Sequence, residues 1–264
     1  MDAPEGGPEP GTRAVDRALR ILMAFGRHGP ALGISALARD VDLKPSTVHR
    51  IVRALVFRGF LEQDEASELY RLGHSLAVLG QAALDDQGLT AARMILERLG
   101  IETGESLNLG VRSGPSVLVI ARVSSVHALR FDHAPGQRVS LHATAMGKAL
   151  LAFSRDPAGE VRSLTQDEPL RAFTSSTFVD PQALLADLEL IRERGYSLDE
   201  EESIAGVRCV GTPVLDRAGL ARAAIAIQAP AVRFPQEATD DLARTVMAAA
   251  TEVAEAMGFQ TAQS

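Results

Sequence analysis

Aromatic residues are scarce in this chain, and their scarcity excludes one way of binding nucleic acid. They make up 4% of its 264 residues, and tryptophan is absent. Proteins that hold single-stranded nucleic acids commonly stack successive bases on a row of aromatic rings. A chain with so few rings is a poor candidate for that kind of binding.

Cysteine and long apolar runs are also scarce. The single cysteine, Cys209, excludes an intrachain disulfide and is typical of proteins from a reducing compartment. No apolar stretch approaches the roughly 18 residues that a membrane-spanning helix needs. The acidic, Pro- and Gly-rich residues 1–12 lack the basic start and apolar centre of a secretory signal. We therefore expect a cytoplasmic protein of one or two domains, with no membrane partner and with a disordered tail over residues 1–12.

Charge is distributed unevenly along the chain, whose formal net charge is −7. Residues 13–73 contain ten basic and seven acidic side chains, whereas residues 74–264 contain 17 basic and 24 acidic ones. A modestly basic segment joined to an acidic body indicates two different roles in one chain.

Residues 13–73 have the periodicity of three helices and a hairpin. The predicted elements are helices over residues 15–25, 35–40 and 45–58 and strands over residues 60–63 and 69–73. Ser35 is expected to cap the second helix, and Pro45 suits the first turn of the third. This order is typical of a winged helix-turn-helix domain, whose recognition helix enters the major groove of DNA.

The third helix presents a basic face opposite its apolar stripe. Between Lys44 and Arg58 there are four Lys or Arg residues and no acidic one. Arginine donates two parallel hydrogen bonds to guanine, so we assign Arg50 and Arg53 to base edges. The other predicted DNA contacts are Ser35, Lys44, Ser46, Thr47, His49, Tyr70 and Arg71. A basic amphipathic helix is also typical of an ordinary solvated surface, but the complete order of elements favours DNA binding.

From residue 74 onward, a helical stretch over residues 74–100 precedes strands and helices in alternation. Strands are predicted over residues 107–111, 116–121, 127–132, 207–215 and 221–229, and helices over residues 145–153, 181–194 and 235–257. Hairpins with helices grouped between them predict an α+β domain over residues 101–258, followed by a short tail over residues 259–264.

Three stretches of this sequence resemble the IclR family of bacterial transcriptional regulators. They are RAVDRALRIL at residues 13–22 with KPSTVHR at 44–50, LHATAMGKALLA at 141–152, and DEE at 199–201 followed by GVRCV at 206–210 and PVLD at 213–216. The resemblance spans about residues 13 to 257, nearly the whole chain. It implies a winged helix-turn-helix, linker helices over residues 74–100 that dimerise, and a GAF-like antiparallel-sheet domain that binds a small-molecule effector.

The same resemblance implies a function and partners. Family members are dimers or tetramers that bind palindromic double-stranded operators, and a metabolite, often a carboxylate, alters that binding. We expect a repressor, with an activator of the same architecture as the alternative, and we expect no cofactor.

The predicted effector site combines one physical argument with the family pattern. The loop over residues 143–147 enters a helix, and its small residues expose N–H groups to an anion. The resemblance implies that this loop lines the effector pocket. The predicted effector-binding residues are Thr144, Ala145, Met146, Gly147, Asp199, Cys209, Ala226 and Gln228, with Leu129 and Phe131 as an apolar wall on the strand over 127–132.

Two of these residues bear on the size of the effector. Positions 226 and 228 share one side of a strand because side chains alternate. Some relatives that bind small keto acids carry hydroxyl residues at both positions. Ala226 and Gln228 therefore favour an effector larger or less charged than glyoxylate or pyruvate.

An enzyme is the alternative class of function. Cys209 and His142 would have to meet in space to form a thiol nucleophile, which sequence alone does not test. Motifs of the Gly-x-Ser-x-Gly, phosphate-loop and His-Glu-x-x-His types are missing. His127, His133 and His142 match no compact zinc spacing, although a site assembled from them in space remains an alternative. We expect neither catalytic residues nor a metal.

Overall fold

The chain folds as two compact units that divide between residues 86 and 87. The structure, a computed structural model, describes residues 12–86, 88–234 and 239–260. Most of the two predicted tails therefore lies outside the described residues, as does the predicted start of the last helix at Pro235.

The first unit contains the three helices and the hairpin that the sequence predicts, followed by one more helix. Its elements are α1 (Arg13–His28), α2 (Ile34–Asp40), α3 (Pro45–Phe57), β1 (Leu61–Gln63), β2 (Tyr70–Leu72) and α4 (His74–Asp86). The two strands pair antiparallel. A small core joins the helices to the hairpin, with Ile21, Leu37, Val48, Val52 and Leu61 fully buried.

The predicted cap of α2 is wrong. The helix begins at Ile34, with Gly33 as its N-cap residue and no side chain accepting a capping hydrogen bond. Ile34 packs against the core, and the helix therefore begins one residue earlier than predicted. Ser35 is left exposed in the first turn.

The second unit is an antiparallel sheet covered by helices, as expected of an α+β domain. Its elements are α5 (Leu89–Thr103), β3 (Ser106–Ser113), β4 (Ser116–Val123), β5 (Arg138–Ser140), α6 (Ala145–Ala152), α7 (Pro157–Leu164), α8 (Pro181–Arg194), β6 (Ser197–Glu200), β7 (Val207–Leu215), β8 (Ala221–Pro230), a 3₁₀ turn (Ala231–Arg233) and α9 (Thr239–Ala256). The six strands lie in the order β5-β4-β3-β8-β7-β6. The stretch predicted as linker helices thus consists of α4 in the first unit and α5 in the second.

Both faces of this sheet are buried. Leu107, Leu109, Ile225 and Ile227 point to the side covered by α5 and α9. The residues between them on the same strands point to the opposite side, where α6 lies with α8 packed behind it. Because side chains alternate along a strand, polar residues between these apolar ones are buried beneath α6.

Glycines allow α6 to lie directly on the sheet. A Cβ atom built on Gly211 of β7 would come within 2.7 Å of the backbone carbon of Ala145, and one on Gly110 of β3 within 3.1 Å of Met146 Sδ. Gly147 is needed for a similar reason, since a Cβ there would overlap the carbonyl oxygen of Leu141. Close packing is thus sufficient to explain why residue 147 is a glycine.

The strand predicted over residues 127–132 is wrong. Residues 124–137 form a loop, and the edge strand of the sheet is β5, over Arg138–Ser140. The loop is held by side chains of the sheet: Gln228 Nε2 donates to the carbonyl oxygen of Phe131, and the Ser106 hydroxyl donates to Asp132. These contacts replace the backbone ladder that a strand would form. Three short elements, β5, α7 and β6, were missed by the prediction.

A buried ion cluster joins α6 to its surroundings. The side chain of Lys148 is 1% exposed; its Nζ lies 2.5 Å from Glu202 Oε1 and 2.7 Å from Asp187 Oδ2. The same ammonium lies 4.9 Å from the centre of the Phe178 ring. Burial raises the pKa of Glu202 to about 7, although the nearby Lys148 acts in the opposite direction. One cation therefore faces two carboxylates in a place with little water.

The raised pKa of Glu202 predicts a dependence of stability on pH. A folded-state pKa above the unfolded value stabilises the fold at low pH, and that contribution is lost as the pH rises through the folded pKa near 7. In Glu202→Gln this loss is absent. Between about pH 5 and pH 8, the free energy of unfolding of the wild type should fall relative to that of the variant by on the order of 2 kcal/mol.

Urea unfolding at several pH values measures this difference. The control is Glu189→Gln, which removes an exposed carboxylate from α8 and should keep the slope of the wild type. The two proteins are compared by how steeply the free energy of unfolding changes with pH. Its absolute value is not compared, because Lys148 loses a charged partner in the variant. Parallel curves for the wild type and Glu202→Gln would contradict the prediction.

Candidate DNA interface and effector site

The exposed side of α3 carries most of the predicted DNA contacts. Val48 and Val52 fix the helix in the core. Lys44, Ser46, His49, Arg50 and Arg53 are exposed on the other side, and Thr47 is half-buried. Within residues 12–86, the side chains of Arg50 and Arg53 have neither a hydrogen bond nor an ion pair.

Several basic side chains elsewhere in the first unit are engaged with carboxylates or backbone. Arg27 Nη2 lies 2.6 Å from Asp40 Oδ2, and His28 Nε2 lies 2.5 Å from Asp40 Oδ1. Arg20 donates to the carbonyl oxygen of Val41. The uncompensated positive charge of α3 is therefore available to an external anion such as DNA.

The hairpin contributes differently from what the sequence predicted. Tyr70 is 4% exposed and belongs to the core of the first unit, a placement that weighs against contact with DNA. Arg71 is exposed, with Nη2 3.9 Å from Asp64 Oδ2. Asp64 itself accepts hydrogen bonds from the backbone N–H and hydroxyl of Ser67, which closes the acidic turn.

In the second unit, strand pairing brings four of the predicted effector residues together. Two neighbouring rows of residues cross the sheet on the α6 side. The first row is Asp199, Cys209, Gln228 and Ser106, and the second is Ser197, Gly211, Ala226, Asn108 and Arg122. We call these nine residues the polar rows. Residues directly opposite in an antiparallel pair share a face, so the polar rows form one continuous surface.

Asp199 occupies the end of the first row and organises the turn that follows β6. It is 1% exposed, and its carboxylate accepts hydrogen bonds from the backbone N–H groups of Glu202 and Ser203 and from the Ser203 hydroxyl. The Cys209 thiol lies 3.9 Å from Asp199 Oδ2. Burial raises the pKa of Asp199 and raises the pKa of the Cys209 thiol well above its ordinary value. This end of the row therefore holds a protonated thiol.

The first turn of α6 closes over the second row. Ser197 Oγ donates to the carbonyl oxygen of Ala145 over 2.6 Å. Thr144 caps the helix, because its hydroxyl accepts from the Gly147 N–H over 3.1 Å and donates to the Ser140 carbonyl. The hydroxyl of Thr144 and the amide of Gly147 are thus engaged within the protein. The predicted anion contact then depends on the amides of Ala145 and Met146.

The predicted apolar wall is divided by the loop. Phe131 packs against the cluster beneath α6, whereas Leu129 is largely exposed. Because the segment is not a strand, the spacing of two residues does not place both side chains on one side. Only Phe131 lies against the polar rows.

Two polar residues of the site, Ser106 and Asn108, were missed by the sequence analysis. The alternation of Leu107 and Leu109 contains the signal, since it places the residues between them on the opposite face. That face is buried only because the sheet is covered on both sides. Lys148 was missed as well, because lysine is almost always exposed.

The described structure also bears on the metal and enzyme alternatives. Across residues 12–86, 88–234 and 239–260, no group of three or more His, Cys, Asp or Glu side chains is placed to hold a metal ion. His142 donates from Nε2 to the carbonyl of Arg171, and its Nδ1 lies 3.0 Å from Ser140 Oγ. It is therefore engaged away from Cys209. Among the helices described, none is long and apolar enough to cross a membrane.

Comparisons with known proteins match both units. A family model described as the IclR helix-turn-helix domain matches residues 14–65, and one described as the bacterial transcriptional regulator IclR C-terminal matches residues 81–255. The HTH-type transcriptional regulator BhcR of Paracoccus denitrificans is 37% identical over 92% of this chain and 86% of its own length. The HTH-type transcriptional repressor AllR of Escherichia coli is 30% identical over 95% of this chain and 92% of its own.

A solved structure agrees with this chain in fold. An IclR homologue of Microbacterium hydrocarbonoxydans, complexed with 4-hydroxybenzoate, is 26% identical and superposes with a TM-score of 0.81. The match covers 92% of this chain and 98% of that one. Sequence, fold and relatives agree with the resemblance noted above, and the chain belongs to the IclR family of bacterial transcriptional regulators.

Proposed function

We propose that this protein is a homodimeric or tetrameric repressor that binds a palindromic operator and responds to a small molecule held at the polar rows. The observation that carries the DNA-binding part is the exposed face of α3, where Arg50 and Arg53 are free of partners within the first unit. The repressor assignment is supported by AllR, a relative named as a repressor. A transcription assay on the selected operator distinguishes repression from activation.

An apolar stripe on α1 supports self-association. Val15, Leu19 and Met23 lie four residues apart on one side of the helix and are 61%, 54% and 57% exposed. A stripe with helical spacing is typical of a helix that packs on another element. A symmetric dimer would present two recognition helices about one turn of DNA apart, which is why we infer a palindromic operator.

The effector part of the proposal is supported by the chemistry of the polar rows and by the homologue that binds 4-hydroxybenzoate. The effector alters DNA affinity only as far as it binds two arrangements of the protein differently. We assign no catalytic step, because the high pKa of the Cys209 thiol disfavours a thiolate nucleophile. A regulator of this kind acts in the cytoplasm, where bacterial DNA is found.

Selection of bound duplexes from a random DNA pool tests the proposal directly. We expect a palindromic consensus whose affinity falls steeply as salt concentration rises. Failure to enrich any sequence, with and without candidate effectors, would contradict specific DNA binding. The selected duplex then serves the measurements of DNA binding below.

Replacing either arginine of α3 should weaken binding to the selected duplex. Arg50→Ala or Arg53→Ala should cost about 1–3 kcal/mol if the residue makes a bidentate contact with a guanine. Fluorescence anisotropy at fixed salt concentration measures the loss. Arg58→Ala is the matched control, because Arg58 follows the C-terminal end of the same helix and its loss removes an equal charge. Unchanged affinity in both arginine variants would exclude α3 as the recognition helix.

Replacing Gln228 should alter the effector response and leave DNA binding intact. In Gln228→Ala the hydrogen bond to Phe131 is lost, so the loop over the polar rows loses one of its attachments to the sheet. We expect unchanged affinity for the operator without ligand, and a changed shift in melting temperature with 4-hydroxybenzoate and a panel of small carboxylic acids.

Gln260→Ala is the control, since Gln260 also donates its amide to a backbone carbonyl over 2.8 Å, that of Leu215, away from the polar rows. Equal ligand responses in Gln228→Ala and the wild type would place the effector elsewhere. Loss of operator binding in Gln228→Ala would show a folding defect and would contradict the expected separation of the two functions.

A further inference from the structure

Asn108 is the only asparagine in the chain, and it is fully buried in β3. Neither its amide nitrogen nor its amide oxygen has a hydrogen-bond partner within the described residues. Buried polar side chains in native proteins are nearly always paired, and an exception calls for a physical explanation. Asparagine has two N–H donors and an acceptor oxygen, so the unmet capacity is of both kinds.

The position of Asn108 relates this unmet capacity to the effector site. In the second polar row, Asn108 lies between Ala226 of β8 and Arg122 of β4. On one side along β3 is Ser106, where the loop is attached, and on the other is Gly110, where Met146 packs. The amide therefore belongs to the surface between the loop and the first turn of α6.

Apart from Arg122, which lies opposite on β4 and lowers the pKa of Asp132, the polar neighbours of Asn108 are already engaged. Ser106 donates to Asp132 over 2.6 Å, and Gln228 donates to Phe131 over 2.8 Å. Thr144 both donates and accepts within the cap of α6. Ala226, directly opposite Asn108, has only a methyl group. Within this part of the described structure, the partner of the amide has to come from outside the protein chain.

We propose that Asn108 determines effector specificity by binding a hydroxyl group of a small hydroxylated carboxylic acid. A hydroxyl donates one hydrogen bond and accepts another, which matches the two functions of a primary amide. The carboxylate of the same molecule would be bound by the amides of Ala145 and Met146 at the start of α6. This inference rests on the proposed function, because it assumes that the polar rows hold the effector.

Pairs of acids that differ by one hydroxyl group test this assignment. The probes are mandelate with phenylacetate, and 4-hydroxybenzoate with benzoate, each titrated into the full-length protein by calorimetry. In at least one pair, the wild type should bind the hydroxylated acid about tenfold or more tightly, one added or lost hydrogen bond being worth about that factor. If the wild type binds neither hydroxylated acid, the assigned class of effector is wrong.

Two variants at this position separate recognition from folding. Asn108→Leu has a similar size and no polar atom, and it should abolish the preference for the hydroxylated acid. Because it also removes an unpaired buried amide, it should unfold at a urea concentration equal to or above that of the wild type. Asn108→Asp keeps the shape, loses the donors and adds a carboxylate, so it should bind both acids of a pair more weakly than the wild type does.

The control is Ser154→Ala, which removes another buried and unpaired polar atom, beyond the C-terminal end of α6. This variant should keep the preference of the wild type. If Asn108→Leu keeps the preference and unfolds at lower urea concentration, a buried water satisfies the amide and the proposal is wrong. Binding of unliganded Asn108→Leu to the selected operator should equal that of the wild type, so failure of the operator selection and failure of this inference are distinguishable.

Discussion

The close contact between α6 and the sheet determines the rest of the second unit. Gly110 and Gly211 permit it, since any side chain at Gly211 would displace the backbone of Ala145. Once the helix lies this low, its fourth residue, Lys148, is carried beneath the surface with its charge. An isolated buried ammonium is costly, and the cost is offset only by carboxylates placed around it. Asp187 and Glu202 supply them, from α8 and from the turn after β6. Packing thus comes first, and the ion cluster follows from it.

The same contact makes a binding site from an ordinary strand pattern. In a sheet with one solvated face, Ser106, Asn108 and Gln228 would face water. Under α6 and the loop they are buried, so each must find a partner or remain unpaired. Ser106 and Gln228 are satisfied by the loop, and Asp199 by its own turn. Asn108 is not. The unpaired amide of Asn108 therefore links the packing of α6 on the sheet to the recognition of a ligand.

The sequence predicted the parts of the structure that local patterns determine. Periodicity located the three helices and the hairpin of the first unit and the helices α6 and α8, because an apolar stripe has to face a core. The loop over residues 124–137 was misread as containing a strand, since its path depends on the amide of Gln228, nearly a hundred residues away. Asp199 lies in a run of acidic residues that is typical of a solvated surface, and only the family pattern distinguished it from its neighbours. Lys148 carried no signal at all, because its burial depends on glycines in other strands.

The two units solve opposite electrostatic problems. DNA binding needs charge that is not neutralised, and α3 provides it although the whole chain carries a net charge of −7, because counterion release depends on local contacts with phosphates. Effector binding needs the reverse: a surface where burial raises the pKa values of acidic groups, as it does for Cys209 and for Asp199. In such surroundings a hydrogen bond discriminates strongly, because a group left without its partner is not compensated by water. Specificity for an effector is therefore expected to reside in the paired and unpaired amides of the polar rows more than in net charge.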